Sequence, residues 1–77
     1  MSNVKAVNSF FAGANRADVD GVKDKIILSD RQDTIFTMFY INKKDISYIA
    51  DTLYVSPAVI SRELKRIRDK ILPIIRQ

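Results

Sequence analysis

Arg62 and Lys65 are the side chains in this chain best spaced to act on a polyanion. They lie in the run Ser56-Pro57-Ala58-Val59-Ile60-Ser61-Arg62-Glu63-Leu64-Lys65-Arg66-Ile67-Arg68-Asp69-Lys70-Ile71-Leu72. Placed every 100° around a helix, Ala58, Ser61, Arg62, Lys65 and Asp69 share one face. Ile60, Leu64, Ile67 and Ile71 share the opposite face, and Arg66 and Arg68 flank the basic side. Ala58 and Ser61 are small enough for close approach. A guanidinium at position 62 can reach guanine with two parallel donors, and an ammonium at 65 can reach a base or a phosphate. These types in this order suit a helix entering the major groove of DNA. Ala58, Ser61, Arg62 and Lys65 are therefore the candidate base-reading residues. Lys43, Lys44, Ser47, Ser56, Arg66 and Arg68 are the candidate phosphate contacts. An ordinary bundle helix with a solvated basic face has the same periodicity, so the neighbouring elements must discriminate.

Those elements favour a reading helix. Ser56 is a preferred N-cap, and Pro57 at the first helical position loses only an N–H that had no partner. Val55 before the cap and Ile60 at the fourth position form a hydrophobic staple. Pro73 predicts an end near Leu72. Upstream, Asp45 is placed to cap a short helix whose Ile46, Ile49, Ala50 and Leu53 form one stripe, with Ser47, Tyr48 and Asp51 facing away. Two helices joined by Tyr54-Val55 read as a helix-turn-helix over residues 45–72.

Three further helical segments precede the motif. Val4, Val7, Phe10 and Phe11 form a stripe that ends near Gly13-Ala14-Asn15. Asp18 is read as the cap of a second helix carrying Val19, Val22 and Ile26, weakened by Gly21 by about 1 kcal/mol. Ser29-Asp-Arg-Gln32 is a capping box opening a helix to about Ile41, with Ile35, Phe36, Phe39 and Tyr40 as its apolar face. The aromatic cluster is read as core. The expected fold is all-α, a small bundle of four to five helices in a single domain over residues 1–77. Residues 1–28 form its N-terminal segment and residues 29–72 a three-helix core. Two glycines and two prolines in 77 residues argue against a turn-rich sheet fold.

Charge supports a polyanionic partner. Residues 1–42 are electrically neutral, so the whole net charge of +4 lies in residues 43–77. Such asymmetry is the footprint of a phosphate-binding surface. An enzymatic reading finds little to use. With no histidine and no cysteine, the commonest bases, nucleophiles and metal ligands are missing. Asp18-Val19-Asp20-Gly21 resembles part of a calcium loop, but its first and last ligand positions would be Arg16 and Ile27. Asp30 and Asp33 are read as complementing a helix dipole. No cofactor, metal or small-molecule substrate is expected. No run approaches the roughly 20 apolar residues of a membrane span, and no signal-peptide core is evident at the N-terminus.

Residues 26–71 resemble the region 4 domain of bacterial sigma factors and, nearly as closely, the LuxR-type helix-turn-helix. The likeness rests on Leu28-Ser29-Asp30-Arg31-Gln32 before an aromatic-rich helix, Ile49-Ala50, Leu53, Val55-Ser56, Ile60 with Leu64, and Lys70-Ile71. The resemblance implies a cytoplasmic bacterial or phage protein that reads a promoter-like site and docks on RNA polymerase. Two positions depart from it. Tyr54 stands where the turn usually carries glycine, and Lys43 replaces a common glycine of the preceding loop. The chain is also too short to include the promoter-opening sigma domain. The expected function is that of a free-standing DNA-binding transcriptional regulator of phage or mobile-element type, acting as a homodimer on double-stranded DNA. Its dimer contact is expected in residues 71–75 or in the Phe10-Phe11 helix. A protein-interaction module binding polymerase or another regulator, and a DNA-packaging or recombination accessory protein, are the alternatives.

Overall fold

Short polar side chains set where three of the helices begin. The computed structural model describes residues 3–76, with side chains from Val4 onward. At Ser29 the expected capping box forms: Ser29 Oγ accepts from the Gln32 N–H and Gln32 Oε1 accepts from the Ser29 N–H, both at 3.2 Å. Asp45 Oδ1 accepts from the Tyr48 N–H at 2.8 Å. Each such cap contributes about 1 kcal/mol by satisfying an N–H that the helix leaves free.

The helices are α1 (Asn3–Gly13), α2 (Arg16–Asp24), α3 (Asp30–Phe36), α4 (Ile46–Leu53) and α5 (Pro57–Ile75). The fold is all-α, with no strand among the described residues. The chain forms two compact units. One comprises residues 28–67; the other holds α1, α2 and the chain from Arg68 onward.

In the first of these, α3, α4 and the N-terminal part of α5 enclose Ile35, Phe36, Tyr40, Ile49, Ala50, Ile60, Leu64 and Ile67. The apolar stripes of α4 and α5 are thus buried, while Ile46 and Leu53 are half-buried at the edges. The aromatic cluster is core, as expected, although Phe39 is only half-covered. Its ring meets Tyr40 edge-on at 5.0 Å, and Phe36 lies 5.3 Å from Tyr40. Helix α3 does not continue to Ile41 as a regular α-helix. Thr37–Ile41 form a π turn, closed by the Asn42 N–H on the Thr37 carbonyl at 2.9 Å. The extra residue in this turn resets the phase of the helix against the core.

In the other unit Val7, Phe11, Val19, Val22, Ile71 and Leu72 are buried. Val4 is exposed and Ile26 lies beyond the end of α2, so neither completes its expected stripe. The cap of α2 is also different from the expectation. Asn15, not Asp18, is the N-cap: its Oδ1 accepts from the Asp18 N–H at 2.9 Å, and Asp18 Oδ2 accepts from the Asn15 N–H at 3.1 Å. The helix thus starts three residues earlier than expected, and Val19 and Val22 are its buried residues. Lys70 Nζ donates to the Ile27 carbonyl at 2.7 Å, tying α5 to the segment after α2. Helix α5 does not stop at Leu72. Pro73 lies inside it, and the helix runs to Ile75. Pro73 removes the N–H that would bond to the carbonyl of Asp69, and its ring crowds that carbonyl. Burial of Ile71 and Leu72 holds the turn in place.

The turn between α4 and α5 closes in an unusual way for its residue type. Tyr54 has φ 58° and ψ 42°, in the left-handed region. The Val55 N–H donates to the Ala50 carbonyl at 3.0 Å and the Tyr54 N–H to the Asp51 carbonyl at 3.4 Å. This is the hydrogen-bond pattern of a Schellman motif, which glycine usually completes. Lys43, with φ 59°, plays the same part after the π turn, where the Lys44 N–H donates to the Met38 carbonyl at 2.9 Å. A left-handed non-glycine residue costs about 1–2 kcal/mol. Tyr54 is 95% exposed, so its ring offsets little of that by burial. Glycine would remove the strain but loses about 0.5–1 kcal/mol in chain entropy. Tyr54→Gly and Lys43→Gly are each expected to stabilise the chain by about 0.5–1 kcal/mol, a rise of a few degrees in Tm on thermal denaturation. A fall in Tm for both would mean that these side chains hold the turns by contacts stronger than the strain.

Candidate nucleic-acid interface

Burying one side of α5 leaves a defined surface on the other. Ala58, Ser61, Arg62 and Lys65 are all exposed. By helical geometry they occupy an arc of about 100° and span about 10.5 Å along the axis, close to three base-pair steps. Neither Arg62 nor Lys65 makes a side-chain hydrogen bond or ion pair with the described residues. The arc carries two positive charges and no acid through its first two turns, because Glu63 lies on the buried side. The N-terminal end of the helix dipole adds to this positive potential.

The start of the helix is shaped by Ser56 and Pro57. The Ser56 carbonyl accepts from the Val59 N–H at 3.0 Å and the Ile60 N–H at 3.4 Å, opening the first turn. Pro57, Ala58 and Ser56 itself are exposed, so nothing bulky surrounds this end on its own element.

The expected phosphate contacts fall into different environments. Lys43, Lys44, Ser47 and Ser56 are exposed. Lys44 holds its ammonium 5.0 Å from the centre of the Tyr48 ring, a cation–π contact worth about 0.5–1 kcal/mol at such a site. The four-residue spacing of Lys44 and Tyr48 is the sequence signal for this contact. Arg68 is half-buried and belongs with the unit that contains α1 and α2. Arg66 has an intramolecular partner: its Nη1 donates to Glu63 Oε1 at 2.9 Å. The Glu63 side chain is 11% exposed against 65% for Arg66. Arg66 therefore neutralises a largely buried carboxylate with one edge of its guanidinium while the remainder faces solvent.

No family model matches the chain, and no curated protein or solved structure matches it either. No helix of the described residues is long and apolar enough to cross a membrane.

The Arg66–Glu63 pair separates a structural task from a binding one. Arg66→Ala strands a buried carboxylate and is expected to cost about 1–2 kcal/mol of stability. Arg62→Ala and Lys65→Ala, which remove no intramolecular partner, are expected to change stability by less than about 0.5 kcal/mol. Chemical denaturation of the three variants checks this; equal stability for all of them would show that the Glu63 carboxylate needs no cation.

Proposed function

We propose that this chain is a sequence-specific DNA-binding transcriptional regulator that lays the first turns of α5 in the major groove. The observation that carries the reading is the outward face of α5. Two cations without a side-chain partner among the described residues stand beside two small residues, at the end of a helix whose other side is core. Ala58 and Ser61 admit the groove floor. Arg62 supplies a bidentate donor for guanine, and Lys65 reaches a neighbouring base or a phosphate. Lys43, Lys44, Ser47 and Ser56 then fix the register on the backbone, joined by the free edge of Arg66.

The likeness to sigma region 4 supports the same reading. Both positions at which this chain departs from the family's glycines, Lys43 and Tyr54, adopt the left-handed conformation that glycine favours. That shared conformation at the two departing positions is what supports the likeness. Under this reading RNA polymerase is a further partner.

Selecting bound sequences from a random DNA pool, followed by titrations with Arg62→Ala, tests the reading. Arg62→Ala is expected to cost about 1–3 kcal/mol on the selected sequence and to relax discrimination at one base pair. Lys43→Ala and Lys44→Ala are expected to weaken all sequences alike and to lower the salt slope by roughly one unit each. If Arg62→Ala retains the wild-type ratio between selected and scrambled DNA, α5 is not the reader.

A further inference from the structure

The chain itself does not account for the glycine in α2. Gly21 sits inside Arg16–Asp24, where glycine weakens a helix relative to alanine. A Cβ added there would meet nothing within 4 Å. The open space belongs to a groove of about 270 Å³, walled by Phe10 of α1 and by Ile74 and Ile75 at the end of α5, with Ala17 and Gly21 along its α2 side. Phe10, Ile74 and Ile75 remain half-exposed there.

Charge marks the two ends of this groove. Asp18 and Lys25 both line it, seven residues apart, about 10.5 Å along α2 with Gly21 between them. Both are exposed. Lys25 has no side-chain partner among the described residues, and Asp18 uses Oδ2 on the Asn15 N–H. An acid and a base at opposite ends of one helical face complement the same face turned end for end.

We propose that a second copy of this chain covers the groove, with the two α2 helices crossing antiparallel at Gly21 about a two-fold axis. In such an isologous contact Asp18 faces the partner's Lys25 and Lys25 faces the partner's Asp18. The missing Cβ lets the two helices approach closely, and Phe10, Ile74 and Ile75 lose their remaining exposure to water. The contact needs no DNA, and its test is made without it, so it stands or falls separately from the DNA-reading assignment.

Sedimentation of the full chain across the micromolar range decides the matter. The wild type is expected to be a dimer. Lys25→Asp and Asp18→Lys should each raise the dimer dissociation constant at least about tenfold, because like charges then meet at both ends. An equimolar mixture of these two variants should recover a dimer, since every facing pair is again of opposite sign. Gly21→Leu should abolish the dimer while keeping helix content by circular dichroism, as the groove has room for the new side chain within one copy. A wild type that stays monomeric, a Gly21→Leu variant that dimerises like the wild type, or a mixture no tighter than its components would each overturn the proposal. Should Asp18→Lys lose helix content through its capping role, Lys25→Asp and Gly21→Leu still give the answer.

Discussion

Burial of one stripe on α5 is the constraint on which the rest of this structure depends. Ile60, Leu64 and Ile67 supply the core of the unit formed with α3 and α4, and Ile71 and Leu72 supply the core of the unit formed with α1 and α2. An apolar side chain of this size gains about 1.5–3 kcal/mol on full burial. Five of them on one helix leave it no freedom to rotate about its axis. The opposite face, Ala58, Ser61, Arg62 and Lys65, is therefore directed to solvent by the packing of its back.

The connection into α5 is held by backbone hydrogen bonds rather than by residue preference. Tyr54 and Lys43 both sit in a conformation that their side chains disfavour. Each is kept there because the N–H groups that follow close a helix end: Val55 on Ala50, and Lys44 on Met38. Carbonyls that would otherwise be orphaned at the ends of helices are satisfied in this way. A strained residue is tolerated where the surrounding structure over-determines it, and here the buried Ala50 and the π turn on one side and α5 on the other provide that constraint.

The cations near α5 differ in function according to their neighbours. Arg66 is committed to Glu63, Lys70 to the Ile27 carbonyl and Lys44 to the face of Tyr48. Arg62 and Lys65 have no such commitments. A count of basic residues would treat all five alike, whereas the structure gives three of them intramolecular contacts and leaves Arg62 and Lys65 exposed without one among the described residues.

What the sequence determined by itself was local. The caps at Ser29 and Asp45, the stripes of α4 and α5, and the outward set Ala58, Ser61, Arg62 and Lys65 follow from contacts three or four residues apart and from the period of the helix. Tertiary structure decided the points at which local rules compete. Pro73 opposes continuation, yet α5 runs past it to Ile75, its last turn closed by the Arg76 N–H on the Leu72 carbonyl at 3.2 Å. The π turn at Thr37–Ile41 had no local signature strong enough to read, and the burial of Glu63 beside Arg66 depends on packing. Burial of apolar surface or of a charge depends on residues distant in the chain and can outweigh the roughly 1 kcal/mol preference of a single cap or turn.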